Sequence, residues 1–413
     1  MEHGNGNHAG VEAEDGRGED DVLDEENHLS DDDDISDAIL SDEGSEDDND
    51  DFFMLIERND PDLQYKLYCI ERNDPDLLKF DIGTEPSRGW EVLGERIGRN
   101  TMLNEVNIIY EPLSELGMHF FRGLAKNRSI KKLSFFISSR VCGDLLLYLI
   151  PFFMNYTSFE SLRLIYLNGS EAPSEGRFDS LEYALEQFNW LKELRMEIDG
   201  RIEGAENVIQ ALSGHTGLRE LHLLGAQMGK EGFNNLAAML LNPSCSLSTL
   251  CLNSDIDDEM AIILSSGLKE NGTLAELDLC TRLTATGWQA IFSPLKSATC
   301  MINTLNLGCN HISDTALPSL VSVLSNNNTI KVLQLSMMQN SNAFLQAMIQ
   351  FLQSPSCMIQ SMDLSYNSFD DEKIESLTNA LANNCRLKKL NLCCKCHCCR
   401  MANLVSALTA SIM

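Results

Sequence analysis

A short pattern of apolar residues, L-x-x-L-x-L, recurs along most of the chain. Its first copy, LLKFDI, begins at Leu77, and its twelfth copy, LKKLNL, begins at Leu387. The copies are about 28 residues apart on average, and a fixed spacing of this size is typical of a repeat architecture. Within each copy, apolar and other residues alternate as they do in a short strand. The copies begin at Leu77, Leu103, Ile130, Phe159, Leu191, Leu218, Leu247, Leu274, Ile302, Ile330, Ile359 and Leu387.

The segments between the copies carry apolar residues at the spacing of an amphipathic helix. In GFNNLAAMLL, the residues Phe233, Leu236 and Leu240 share one helical face. The stretch DDEKIESLTNALANN has the same spacing, with Ile374, Leu377 and Leu381 on one face. Each unit is therefore predicted to contain one strand, a loop, one helix and a return, which is the short segment that leads from the helix to the next strand. Because a single unit cannot cover its own apolar side, we expect neighbouring units to stack into an α/β solenoid.

Asparagine recurs at the predicted ends of the helices. It tolerates the left-handed backbone conformation that closes many helices, so we expect these residues to end helices in that conformation. Each lies three residues before the first apolar position of the next copy: Asn100, Asn127, Asn271, Asn327 and Asn384.

Other returns carry a cysteine in place of the asparagine, in the segments NPSCSL, SATCMI and SPSCMI. We expect Cys245, Cys300 and Cys357 to be core residues. The period, the strand motif, the full helix and the alternation of two return types resemble the ribonuclease-inhibitor-like class of leucine-rich repeat proteins. The resemblance implies a horseshoe with parallel strands on its concave face and helices on its convex face. It also implies use as a binding surface for other proteins.

The first part of the chain differs sharply in charge from the rest. Residues 1–51 contain 22 acidic residues and one basic residue, Arg17, whereas the remainder contains 40 acidic and 30 basic residues. A segment this acidic and this poor in aromatic residues is predicted to be a disordered tail. Acidic residues follow Ser30 and Ser45 at the third position, which is a context that acid-directed kinases prefer, so both are candidate phosphorylation sites.

The segment that follows the tail contains a duplication. The octapeptide IERNDPDL occurs at 56–63 and again at 70–77, where it runs into the first repeat. Since the terminal units of repeat arrays are usually atypical, we predict that residues 52–76 cap the stack and that residues 77–413 form the repeat domain.

Several classes of function find no support in the sequence. There is no signal peptide or membrane span, and no phosphate-binding glycine loop, nucleophile elbow or helical histidine pair. The acidic composition disfavours nucleic acid and anionic membranes as partners. We therefore expect an intracellular protein, cytoplasmic or nuclear, with reduced cysteines, no catalytic residue and no cofactor.

The segment CCKCHCC near the end of the chain has the composition of a metal site. When the last repeat is aligned with the others, this segment corresponds to the loop between the last strand and the last helix. Zinc sites usually combine two short ligand clusters separated by a dozen or more residues, and no second cluster is close in sequence. We interpret the segment first as cysteine enrichment in a terminal loop, with metal binding and redox or lipid chemistry as alternatives. The residues concerned are Cys393, Cys394, Cys396, His397, Cys398 and Cys399.

The third and fifth positions of each motif are predicted to point to the concave face, because side chains alternate along a strand. The middle of that face is acidic, so the predicted partner is a protein with a basic surface. The predicted partner-binding residues are Glu193, Arg195, Glu220, His222, Glu276, Asp278, Asn306, Gln334 and Asp363.

Two other functions remain alternatives to a protein-interaction module. Ran-type activators of small GTPases combine the same kind of repeat with a long acidic segment, although in them that segment follows the repeats. Arg282 lies at a loop position here, but without the context of a catalytic arginine. The other alternative is an inhibitor of a cationic secreted-type enzyme, which the resemblance to ribonuclease inhibitor suggests. The oligomeric state is not fixed by the sequence.

Overall fold

The computed structural model describes most of the region from residue 61 to residue 392. The acidic tail at 1–51, with its candidate sites Ser30 and Ser45, and the cysteine-rich segment 393–399 lie outside the described residues. The described ranges are 61–82, 90–110, 115–138, 150, 159–167, 179–202, 205–338 and 342–392.

Within these ranges, twelve parallel strands form one sheet in which the strands follow their order in the sequence. Every strand begins two residues after the apolar start of a sequence copy, so all twelve copies are confirmed as strands. The strands are β1 Lys79–Ile82, β2 Glu105–Tyr110, β3 Lys132–Ser138, β4 Ser161–Leu167, β5 Glu193–Ile202, β6 Glu220–Ala226, β7 Thr249–Asn253, β8 Glu276–Cys280, β9 Thr304–Asn306, β10 Val332–Gln334, β11 Ser361–Asp363 and β12 Lys389–Asn391.

In the described ranges, a helix lies between each pair of successive strands other than β3 and β4, as expected for parallel neighbours in a solenoid. No described helix is both long enough and apolar enough to cross a membrane. The described α-helices are α1 Pro61–Glu71, α2 Trp90–Arg99, α3 Glu115–Leu124, α4 Asp179–Gln187, α5 Glu206–Leu212, α6 Lys230–Leu241, α7 Asp258–Glu270, α8 Ala285–Phe292, α9 Leu317–Asn326, α10 Asn342–Gln353 and α11 Asp371–Ala382. A short 3-10 helix, Pro294–Lys296, follows α8.

Strand and helix side chains meet in one continuous hydrophobic core. Leu250 and Leu277 occupy the same position in adjacent strands and are fully buried. From the helical side, Trp288 is fully buried and stacks on Phe292, with ring centroids 5.5 Å apart. Each unit therefore covers the apolar side of the next, which is the source of stability in a solenoid.

The predicted core positions are confirmed by their burial. Phe233, Leu236 and Leu240 are buried on one face of α6, and Leu377 and Leu381 are buried on one face of α11. Among the cysteines of the returns, two are buried and one is half-buried against the core: Cys300, Cys357 and Cys245.

The asparagines at the helix ends act through their side chains. Asn271 and Asn327 have φ values of −74° and −92° with extended ψ, so the predicted left-handed conformation is wrong. The backbone stays extended because it leads directly into the next strand. The Nδ2 of Asn327 donates to the carbonyl of Leu295 in the preceding unit, at 2.7 Å. Its Oδ1 accepts from the backbone N–H groups of Thr329 and Ile330, at 2.9 and 2.8 Å.

The same bond to the preceding unit recurs along the stack. Each of these side chains is largely or fully buried, so the bond satisfies polar groups that water does not reach. Asn100, Asn127, Asn271 and Asn384 donate in this way to the carbonyls of Ile70, Ile97, Leu240 and Leu352. Asparagine therefore joins adjacent units as well as ending the helices.

Two neighbouring helices, α2 and α3, touch through their backbones. A Cβ atom added at Gly94 would lie 2.4 Å from the carbonyl oxygen of Phe120, and one added at Gly98 would lie 2.3 Å from that of Gly123. A Cβ atom at Gly123 would lie 2.2 Å from the carbonyl carbon of Gly94. The absence of side chains at these glycines allows the close approach.

The helix α1 precedes the first strand and buries Leu67, Cys69 and Ile70. The second copy of IERNDPDL spans the end of this helix and the turn that leads to β1. In that turn, Asn73 has a positive φ of 51°, and its Oδ1 accepts from the N–H of Thr101 at 2.7 Å. The domain boundaries at 52–76 and 77–413 stay predictions.

Candidate functional site

One face of the sheet is not covered by the helices, and we call it the open face. In β6, Leu221 and Leu223 are buried in the core, whereas Glu220 and His222 are half-buried on the other side. The residues predicted to bind a partner lie in two rows across this face. Glu193, Glu220 and Glu276 lie in the first row, and Arg195, His222, Asp278, Asn306, Gln334 and Asp363 lie in the second. Their role in binding stays a prediction.

Four carboxylates form an acidic patch in the middle of the open face: Glu193, Glu220, Glu276 and Asp278. Within the described ranges, none of the four forms an ion pair with lysine or arginine. Glu220 has one partial partner, His222, whose Nε2 lies 3.6 Å from its Oε2. The charges of His222 and Arg195 partly oppose the burial that raises the pKa of Asp278, and neither forms an ion pair with it, so nearby basic side chains offset the negative charge of the patch only in part.

Two members of the acidic patch ionise less readily than free carboxyl groups. Burial raises the pKa of Glu276, and the charges of Asp278 and Glu220 raise it further, although His222 opposes them. Burial also raises the pKa of Asp278, and this effect outweighs the hydrogen bond that Asn306 donates to it at 2.8 Å. Both shifts indicate that negative charge at this place is costly without an added cation.

A cluster of one carboxylate and two guanidinium groups lies beside the patch. Glu197 accepts hydrogen bonds from the Nε of Arg195 at 2.5 Å and from the Nε of Arg163 at 2.9 Å. Burial alone would raise the pKa of Glu197, but the two guanidinium groups outweigh it and lower the pKa. Arg195 is therefore engaged with Glu197, so it contributes less to partner binding than its sequence position suggested. Arg163 occupies the fifth position of FESLRL, so the rule that third and fifth motif positions point to the concave face also applies to it.

Neutral substitutions at Glu276, in the acidic patch, and at Glu197, between two arginines, are expected to change the free energy of unfolding in opposite directions. At neutral pH, Glu276→Gln is expected to raise the free energy of unfolding by less than about 1 kcal/mol, because a charge with a raised folded-state pKa costs stability when ionised. Glu197→Gln is expected to lower it by about 1 to 2 kcal/mol, because a carboxylate held by two arginines is lost.

At about pH 3, both substitutions are expected to change the free energy of unfolding less than they do at neutral pH, for different reasons. The cost of Glu276 disappears as the pH falls through its raised folded-state pKa. The stabilisation by Glu197 is present above its unfolded-state pKa and is lost as the pH falls through its lowered folded-state pKa. Urea unfolding of both variants and the unsubstituted chain at the two pH values measures this. Equal signs for the two substitutions at neutral pH would contradict the assignment.

A row of apolar side chains also lies on the open face, and the sequence analysis missed it. Phe136 pairs with Ile109 on one side and with Ile165 on the other, and Leu224 lies further along the row, beyond Glu197. Ile109 is 41% exposed, and Phe136 and Leu224 are half-buried. These residues lie beyond the six-residue motif, because β2 to β6 continue past its last position.

The loops at the carboxyl ends of β6 to β9 enclose a cavity of about 520 Å³. Arg282, Asp255 and His311 line it together with the thiols of Cys280 and Cys309. Cys251 lies in the second row of the open face between His222 and Asp278, as the strand pattern predicts, but it is only 7% exposed, and burial is the main cause that raises the pKa of its thiol. Burial also raises the pKa of the Cys280 thiol.

Comparison with known proteins identifies the architecture. No family model matches the sequence. Over 187 residues the chain is 27% identical to ribonuclease inhibitor of Sus scrofa, and the match covers 45% of this chain and 41% of the inhibitor. The fold is a leucine-rich repeat solenoid, and the chain is similar to the ribonuclease-inhibitor-like class of these proteins. Over 188 residues the solenoid is also 29% identical to the NACHT, LRR and PYD domains-containing protein 12 of Mus musculus, covering 45% of this chain and 18% of that protein.

These matches cover less than half the length of each relative. The activities and partners of the whole relatives therefore do not pass to the solenoid by similarity alone. Among solved structures, the actin-binding site 2 of leiomodin-1 aligns over 44% of this chain and 88% of its own, with 18% identity and a TM-score of 0.27. A likeness at that score carries no argument about fold or function.

Proposed function

We propose that the solenoid is a non-enzymatic protein-interaction module that binds a protein with a basic surface on its open face. The observation that carries the proposal is the acidic patch, where Glu193, Glu220, Glu276 and Asp278 have no lysine or arginine partner among the described residues. Complementary charge on a partner would remove the cost of holding these carboxylates together.

The dimensions of the sheet support this proposal. Twelve strands at about 4.8 Å spacing extend over about 55 Å, which is wide enough for a standard interface of about 800 Å² per partner. The apolar row with Ile109, Phe136 and Leu224 lies on the same face as the acidic patch. Interfaces commonly combine an apolar centre, which supplies affinity, with charged groups that supply specificity.

The predicted acidic tail, residues 1–51, fits the same partner. It would add attraction for a basic protein over distances up to about the Debye length of 8 Å at physiological ionic strength. We further propose that the protein acts inside the cell. Arg282 lines the loop cavity, and no observation on the described residues favours the GTPase-activating alternative.

Charge reversal in the patch is expected to weaken partner binding at least about tenfold, because like charges across an interface are costly. The test compares the double variant Glu220→Lys and Glu276→Lys with the unsubstituted chain in quantitative affinity capture from native lysate. Each chain is also captured without residues 1–51 and at two salt concentrations. Proteins whose capture weakens with salt and with charge reversal are the expected partners.

The matched control is the double variant Glu231→Lys and Glu372→Lys, which changes the net charge equally on the exposed surfaces of α6 and α11. A purified cationic ribonuclease, tested by titration calorimetry, is a defined probe for the inhibitor alternative. Equal loss of capture in both double variants would show that total charge matters and the open face does not, which contradicts the proposal.

A further inference from the structure

Three potential metal ligands meet within the acidic patch. Glu193 lies on β5, and Glu220 and His222 lie on the adjacent β6. Glu193 and Glu220 are register partners across the two strands, and His222 lies two residues further on the same face. One side-chain oxygen or nitrogen of each residue lies within 4.8 Å of the other two. Two parallel strands thus bring two carboxylates and one imidazole together without help from a loop.

The distance between His222 and Glu220 fits a shared ion better than a hydrogen bond. Their Nε2 and Oε2 atoms are 3.6 Å apart, which is too far for a hydrogen bond. Two ligands held about 2.1 Å from a tetrahedral ion are separated by about 3.4 Å. The side chain of His222 is 16% exposed, so its ring is largely fixed, while that of Glu220 is 47% exposed and can adjust.

The charge around these residues also favours the binding of a cation. Two other carboxylates on the open face have basic partners: Lys79 lies 2.9 Å from Glu105, and Glu197 is held by two arginines. Glu193 and Glu220 lack such partners within the described ranges, and Glu276 and Asp278 add further negative charge nearby. The contrast along one sheet face distinguishes this place from an ordinary solvated surface.

We propose that Glu193, Glu220 and His222 bind one divalent transition-metal ion of the zinc class, through two carboxylate oxygens and the Nε2 of the imidazole. A nitrogen ligand suits zinc and its neighbours better than magnesium or calcium, which prefer oxygen ligands alone. Three protein ligands leave a fourth tetrahedral position open to water or to a group from a partner.

Metal binding at this place would regulate the proposed binding surface. The ion adds two positive charges to the acidic patch, so a loaded site attracts a basic partner less strongly. This consequence depends on the proposed function, but the metal site itself does not. Its test uses the full chain and needs no partner, so either proposal can fail without the other.

Equilibrium dialysis against buffered free Zn²⁺ tests the proposal by counting bound zinc. Cysteines and histidines elsewhere in the chain bind zinc too, so the informative quantity is the difference between variants. The triple variant Glu193→Gln, Glu220→Gln and His222→Gln is expected to bind one equivalent less than the unsubstituted chain. The matched control, Glu231→Gln with Glu372→Gln, alters two exposed carboxylates away from the patch and is expected to keep that equivalent.

The single variant His222→Gln guards against loss of folding in the triple variant. It is expected to weaken zinc binding at this site at least about tenfold, because it removes the only nitrogen ligand, with an unchanged circular dichroism spectrum. Equal zinc stoichiometry in the unsubstituted chain, the site variants and the control overturns the proposal. A second result would also overturn the proposal: Ca²⁺ displaces the zinc equivalent that depends on these three residues as readily as Zn²⁺ binds there. That result would mean adventitious binding to carboxylates only.

Discussion

Replacing Gly123 by alanine is expected to lower the free energy of unfolding by about 3 kcal/mol. A Cβ atom there would lie 2.2 Å from the carbonyl carbon of Gly94 and 2.5 Å from the backbone nitrogen of Glu95. Both contacts are with backbone atoms, so no side chain can rotate away, and the two helices must separate. Separation would open space in the core beneath them, around the buried Phe121. Urea unfolding followed by far-ultraviolet circular dichroism measures the loss.

Gly272→Ala is the control for this substitution. Gly272 has no atom within 4 Å of the place a Cβ would occupy, so alanine is expected to change stability by no more than about 0.5 kcal/mol. If Gly123→Ala were as mild as Gly272→Ala, the backbone contact between α2 and α3 would be refuted.

Replacing Asn327 by alanine is expected to cost about 3 kcal/mol as well. The substitution leaves the carbonyl of Leu295 and the N–H groups of Thr329 and Ile330 without partners. Asn327 is 7% exposed, so water reaches these groups poorly. The loss is expected to weaken the junction between two adjacent units. Hydrogen exchange should therefore show faster exchange at Thr329 and Ile330 than at amides in distant strands.

The adjacent Asn328 provides a matched control, since the segment SNNNT places three asparagines in a row. Asn328 is exposed, and the hydrogen bond it receives from Lys331 goes to its backbone carbonyl. Asn328→Ala is therefore expected to change stability by less than about 0.5 kcal/mol. If both substitutions lowered the free energy of unfolding by a similar amount, the buried hydrogen bonds of Asn327 would not be the cause of its effect.

Much of the fold could be predicted because the repeat motif is local. Leu250 and Leu277 are buried at the fourth position of their copies, and this alternation is visible within six residues. The action of Asn327 was not predictable in the same way. Its partner, Leu295, belongs to the preceding unit and lies 32 residues earlier, so no local pattern reveals the bond. A left-handed helix end was the only mechanism that the neighbouring sequence suggested.

The candidate site was predictable in position but not in its electrostatics. Strand alternation alone placed Glu220 and His222 on the open face. The pairing of Glu197 with Arg163 joins residues 34 positions apart in two adjacent strands, so it depends on strand register. The apolar row was missed because the strands that carry it, such as Lys132–Ser138, continue beyond the motif.

The strictly sequential order of the strands has a consequence for how such a chain changes over evolutionary time. Because every strand pairs only with the strands before and after it in sequence, removal or duplication of one complete internal unit joins two surfaces that already fit units of the same kind. The sheet can therefore become longer or shorter in steps of one unit of about 28 residues, and the hydrophobic core need not be rebuilt. An insertion of any other length would break the register of the asparagine bonds and would have to be accommodated in a loop.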